Sequence, residues 1–283
     1  MIGSFGAEVL KLRKRVAVWV LGIILLAVLG LLGYGLFYFS LKAPGVSRQL
    51  PPDEIANDLI RILPINFVAQ TVGGMSQLGA ALALILGVLS VGSEYGWGTL
   101  KTIFTQRPSR AQTHAGRVAA LALVVALYVI LAFAFCALCS AGVGAAEGDT
   151  GGWPGAGEIA GGMLASWLIM FFWTVFGMTL ATWFRQSALG IGIGLTYAFV
   201  LEGLIFGLLR SVTIIHDIQK FFPGANATAL AQAFPAHGLS RAIRGQLVTP
   251  LVGGTQAALV LGAYVVVGLI AGLLLLTRRD VVN

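Results

Sequence analysis

The polar residues best suited to chemistry in this chain stand inside apolar runs. Asn66, Gln70, Gly73 and Gln77 are separated by four, three and four residues, a spacing that sets three carboxamides in one stripe along a helix. Carboxamides donate and accept hydrogen bonds but are neither acids, bases nor nucleophiles near neutral pH. The stripe therefore suits binding a polar group in a wet cavity, or hydrogen bonding to a partner helix. Glu202 is the one acid placed within an apolar run. Such a carboxylate would contact a cationic group, pair with an arginine of another helix, or stay protonated and structural, and the sequence leaves these three open.

Bond-breaking chemistry has no constellation behind it. There is no GxxxxGK[ST] phosphate loop, no HExxH zinc helix and no GxSxG elbow. Ser76 is a poor nucleophile candidate because the nearest histidine, His114, lies beyond the expected membrane boundary. Cys136 and Cys139 form the sequence CALC inside an apolar helix, where small-residue packing is expected, and two cysteines build no disulfide framework. His216 and His237 lack metal-ligand spacing and read as surface polar residues. No catalytic residue and no metal site is expected.

The elements that must position these residues follow from composition. The chain has 58% hydrophobic and 10% charged residues and a mean hydropathy of +0.90, against about 25% charged in an ordinary soluble domain. This predicts an all-α integral membrane protein. Six apolar runs reach the roughly 20 residues needed to span a bilayer: 16–39, 65–91, 118–142, 160–183, 188–209 and 254–276. They lack the alternation of barrel strands, and open sheets do not survive in lipid. The first run is too long for a cleaved signal and precedes no small-residue cleavage site.

Six spans put both ends on one side. Eleven of the 18 Lys and Arg then fall on the side of the termini, including Lys11, Arg13, Lys14, Arg15, Arg107, Arg110 and Arg117, and seven on the other, which carries longer loops and most of the acids. The termini are therefore expected in the cytoplasm. The pI of 9.8 reports this topology, and no nucleic-acid role is expected.

Short helices are expected at the rims. Phe5, Val9, Leu12 and Val16 recur at helical spacing among basic residues, which suits an interfacial helix facing anionic headgroups. Pro52, Asp53 and Glu54 begin a small outer helix with Ile55, Leu59 and Ile62 on one face. The link WFRQS makes a tight hairpin of the fourth and fifth spans. Residues 211–253 read as short helices broken by Pro223, Gly224, Pro235, Gly238 and Pro250, which either dip into the outer leaflet or lie over the outer mouth.

The densest basic loop, residues 93–117, reads SEYGWGTLKTIFTQRPSRAQTHAGR. Glu94, Gly98, Thr99 and Leu100, then Pro108, Ser109 and Arg110, then Gly116 and Arg117 stand in an order and spacing that resembles the cytoplasmic loop of ABC type-2 exporter permeases. The entry Glu8, Lys11, Leu12, Arg13 and Trp19 is similar to that family's as well. The resemblance covers essentially the whole chain, as one transmembrane domain over 1–283. One departure is Arg117 where Lys is common, which keeps the charge; another is the pair Gly96-Trp97 inside the first motif.

The resemblance implies a transport subunit without its own nucleotide site, driven by an ABC ATPase subunit that holds the ATP and Mg. It implies a homodimer, or a pair with a similar permease subunit, embedded in lipid of a plasma membrane, here a bacterial inner membrane. Glu94, Tyr95, Gly98, Thr99, Leu100, Pro108, Ser109, Arg110 and Arg117 would couple to the ATPase. A short helix from Glu94 to Thr105 would lie across the inner face, Pro108 would end it, and Arg110 and Arg117 would meet headgroup phosphate. Asn66, Gln70 and Gln77, with Glu202, would line the substrate path. Two other readings remain: a membrane scaffold or sensor that uses the loop to dock a cytoplasmic partner, and, less favoured, an intramembrane enzyme.

Overall fold

In the computed structural model the described residues are 2–43, 45, 51–96, 109–202, 218–234, 236–238 and 251–278. They form helices and connections, with no strand among them. In chain order these are α1 (Ile2–Lys14), α2 (Val16–Lys42), α3 (Pro52–Ile62), α4 (Pro64–Gly96), α5 (Arg110–Glu147), α6 (Ala156–Phe184), α7 (Ser187–Leu201), α8 (Pro223–Gln232) and α9 (Gly254–Arg278).

Five of these, α2, α4, α5, α6 and α9, are long and apolar enough to cross a bilayer. The expected fifth span, 188–209, is described as helix only through α7, whose 15 residues extend about 22 Å and fall short of a 30 Å core. Residues 203–209 lie outside the described part. Among the described residues there are thus five helices long enough to span and one shorter apolar helix at the place of the expected fifth span.

The core is built where glycine lets helices touch backbone to backbone. A Cβ at Gly87 of α4 would collide with the Thr174 carbonyl of α6, and one at Gly177 of α6 with the Leu84 carbonyl of α4. The two glycines thus face each other's helices at one crossing, with Leu84, Val88, Met170 and Met178 buried around it. Gly190 and Gly194 bring α7 against Val88 and Leu84 of the same helix. Arg185, at φ 54°, turns the chain sharply between α6 and α7, so the expected hairpin is present.

Helix ends follow local chemistry. Ser109 caps α5: its Oγ accepts from Gln112 N, and Gln112 Oε1 accepts from Ser109 N, both at 3.3 Å. This reciprocal Ser-x-x-Gln box satisfies two orphan donors. Gly148 closes the same helix in the left-handed conformation, at φ 73°. Pro52 stands in the first turn of α3, where its missing N–H costs nothing. Ile62 is buried and Leu59 packs on the core, as the apolar face required.

The N-terminal helix is present, with its apolar face packed on protein. α1 lies against α5, with Leu12 buried and Phe5 and Val9 packed on the core. A Cβ at Gly116 of α5 would stand 2.9–3.0 Å from the backbone of Ser4 and Phe5. Gly116 therefore permits the contact. Val16, assigned to the apolar face of this helix, is instead 74% exposed, because the chain becomes extended at Arg15 and a new helix starts there. Within the segment 211–253, α8 packs on α9 and α4, and its Ala227, Ala229 and Ala231 are buried. Residues 239–247, read from the sequence as another short helix, lie outside the described part.

Leucine at Gly177 must move backbone rather than a rotamer, a cost of about 3 kcal/mol or more. Gly177→Leu is expected to lower the thermal unfolding midpoint in detergent clearly. Gly142→Ala, where an added Cβ meets nothing within 4 Å, is expected to leave it near wild type.

Candidate functional site

Two constellations stand out: a charged knot where α1, α4 and α5 meet, and a pair of cavities near the middle of the helices.

The knot is centred on Glu94. Its Oε1 bonds Lys11 Nζ and lies 3.8 Å from Arg15 Nη2, while its Oε2 accepts from Arg117 Nη2 at 2.5 Å. Glu8 adds a second carboxylate, 2.5 Å from Lys11 Nζ and 3.5 Å from Arg117 Nη2. Arg15 also donates to the Leu89 carbonyl at 2.9 Å. Glu94 and Arg117 are each only 2% exposed. Three cations against two carboxylates leave the knot with one net positive charge. Buried charges of this kind add little net stability, yet removing one partner strands the rest, at about 3–5 kcal/mol.

This geometry corrects two expectations. Glu94 does not begin a helix lying across the inner face; it lies in the last turns of α4, whose helix runs unbroken to Gly96. Arg117 does not meet headgroups, because α1 covers it and two carboxylates engage it. The expected coupling helix to Thr105, with Gly98, Thr99, Leu100 and Pro108, lies outside the described residues. Tyr95 is half-buried against the core, and Ser109 is the cap of α5. Arg110 Nη1 donates to the Leu276 carbonyl at 3.0 Å, placing a cation on the C-terminal turn of α9, where the helix dipole favours it.

Glu8, Lys11 and Arg15 were missed as partners of this site. The usable signal was charge: a lone acid at the mouth of an apolar run, and another acid ahead of four basic residues in the entry stretch.

The carboxamide stripe divides. Asn66, 1% exposed, is consumed by backbone: Nδ2 donates to the Ile60 and His237 carbonyls at 2.8 and 2.9 Å, and Oδ1 accepts from His237 N at 2.5 Å. It pins residue 237 to the α3–α4 joint. Gln70 Nε2 donates to the Gly33 carbonyl at 3.1 Å. Gln77 is exposed, and no hydrogen bond engages it among the described residues.

Gln77 lines both cavities. One, about 460 Å³, is bounded by Ser76, Trp173, Phe199, Glu202 and Thr228; the other, about 350 Å³, by Gly33, Tyr34, Gln70 and Gly73. Asn66 borders neither. Each cavity abuts π-helical turns, at Val28–Leu36 in α2, Met75–Gly79 in α4 and Tyr197–Leu201 in α7. Such turns widen the helix, loosen its hydrogen-bond ladder and recur at functional sites.

Glu202, 7% exposed, accepts from Gly224 N at 3.0 Å through Oε1 and from Ala225 N at 3.1 Å through Oε2. Of the three roles open in the sequence, this geometry corresponds to the structural one. Its partner is the N-terminus of α8, whose orphan donors it satisfies. Cys136 is buried and Cys139 half-buried as free thiols, and no group of three or more metal-ligating side chains occurs among the described residues.

Long apolar helices, joined at one end by a buried charge knot, define a multi-pass membrane protein. A family model described as ABC-2 family transporter protein matches residues 4–201, and the chain belongs to that family. It is thus an ABC transporter permease. Comparison with curated proteins finds no match.

The number of contacts orders the knot's sensitivity. Either Glu→Gln change leaves three cations on one carboxylate, but Glu94 meets three of them and Glu8 two. Glu94→Gln is expected to lower the unfolding midpoint more. Arg117→Met added to Glu94→Gln restores the net charge of one, so the double variant is expected to lose less than the sum of its parts.

Proposed function

We propose that this chain is the membrane-spanning subunit of an ABC exporter, moving its substrate outward by alternating access under power from a separate ATPase subunit that binds ATP and Mg. Both termini lie in the cytoplasm of a bacterial cell, and the subunit works as a homodimer or with a similar permease. The observation that carries this reading is the knot at Glu94. The segment 97–108 leaves from the end of α4 beside Glu94 and returns at Ser109, two turns before Arg117. Glu94 and Arg117 are bonded to each other and to α1. A partner that displaces this segment therefore acts on three helices at once.

The substrate path runs through the two cavities, with Gln77 as shared polar contact and Gln70 beside it. Glu202 acts there chiefly by holding α8 in the wall of the larger cavity. Trp173 and Phe199 supply apolar faces, so the site favours a ligand with an apolar body and a hydrogen-bonding group. Asn66 serves the path indirectly, by fixing its outer rim.

Co-purification with a phosphate-loop ATPase encoded next to this chain, followed by ATPase assays in proteoliposomes, tests the assignment. The complex is expected to hydrolyse ATP. Glu94→Ala with Arg110→Ala is expected to lower turnover at least tenfold while membrane insertion persists. Wild-type coupled activity in that double variant would remove the loop from the drive train.

A further inference from the structure

The four basic residues of the entry stretch divide into two pairs. Lys11 and Arg15 turn inward to Glu94. Arg13 and Lys14 remain exposed, and no hydrogen bond or ion pair engages either cation among the described residues. Arg13 stands at the mouth of a groove of about 550 Å³ between α2 and α5.

One wall of the groove carries Trp19, Ile23 and Leu26, the other Leu123, Leu127 and Leu131. Its polar groups are already taken. Tyr128 donates its hydroxyl to the Val18 carbonyl, and Trp19 Nε1 donates to the Arg13 carbonyl at 2.8 Å. That bond ties the indole, 60% exposed, beside the mouth. Leu123 to Leu131 extends the apolar wall about 12 Å along α5. The groove thus offers hydrocarbon along its length, with the exposed Arg13 bordering its α1 end, beside the start of α2.

We infer that this groove is a binding site for an anionic phospholipid, one acyl chain lying between α2 and α5 and the headgroup phosphate against Arg13 and Lys14. Basic pockets between membrane helices hold such headgroups, and a basic patch together with one buried chain binds far better than either alone. A second copy of the chain fits the groove less well. A symmetric contact would bring the partner's own unpaired Arg13 and Lys14 to the same mouth, like charge against like. A zwitterionic lipid offers the same chains without the net negative charge that would answer these two cations. Because Arg13 lies on the helix that covers Arg117, the bound lipid steadies the knot from its lipid side.

The test uses the purified full chain in nanodiscs containing phosphatidylcholine doped with phosphatidylglycerol, the bromine carried on the acyl chains of one lipid or the other. Brominated phosphatidylglycerol is expected to quench tryptophan emission at several-fold lower mole fraction than brominated phosphatidylcholine. The difference is expected to vanish in Trp19→Phe and to fall roughly fivefold in Arg13→Gln, with Lys14→Gln acting in the same direction. Equal quenching by the two lipids in the wild-type chain overturns the site, and that comparison needs no variant to fold. A phosphatidylglycerol preference unchanged in Arg13→Gln with Lys14→Gln also overturns it. If neither lipid quenches Trp19 while Trp19→Cys cross-links to a second copy, the groove is a protein interface instead.

Discussion

A carboxylate taken out of water must be answered by cations, and in this protein Glu94 is answered from three directions. Lys11 comes from α1, Arg15 from the break before α2, and Arg117 from α5. Much of the nearby architecture follows from that demand. α1 folds over α5 because its Glu8 and Lys11 complete the set. Gly116 has no side chain because α1 must come within backbone distance of it. The chain is extended at Arg15, whose guanidinium also reaches the Leu89 carbonyl.

The same shortage of water governs the apolar body. Several interior polar side chains terminate on backbone carbonyls of another element: Ser140 on Ile62, Trp167 on Ala122, Gln70 on Gly33. Each bond ties two elements without a second side chain, which suits a medium where an unmatched partner is expensive. Gln77 is among those that depart from this pattern, and it does so where two cavities meet. Glu202 extends the pattern to backbone donors. Its two oxygens answer two N–H groups that α8 cannot satisfy within itself.

Much of this was legible in the sequence. Length and apolarity marked the spanning helices, and the periodicity of Phe5, Val9 and Leu12 marked α1. The carboxamide stripe was legible only in part, for a geometric reason. Its spacing assumes an unbroken α-helix, whereas Asn66 lies in a 3₁₀ turn and Gln77 in a π-helical one. Each changes the residues per turn, so the three amides leave a common line. The charges at Glu94 and Arg117 were visible, but their partners sit 83 and 109 residues away in sequence, a distance that no local pattern crosses. The burial of α8 was hidden likewise, since its anchor is a carboxylate in another helix.

The glycine crossing of α4 and α6 bears on how stiff the molecule is. With no side chain to act as a bearing between Gly87 and Thr174 or between Gly177 and Leu84, neither helix can slide or roll on the other without lifting away. The pair behaves as a single beam of double width. α4 is 33 residues, about 50 Å, with Glu94 at one end and the widened turn at Met75–Gly79 beyond the crossing. A push at Glu94 therefore cannot be absorbed by bending near the crossing. The compliant place left along α4 is the π-helical turn, and that is where Gln77 stands.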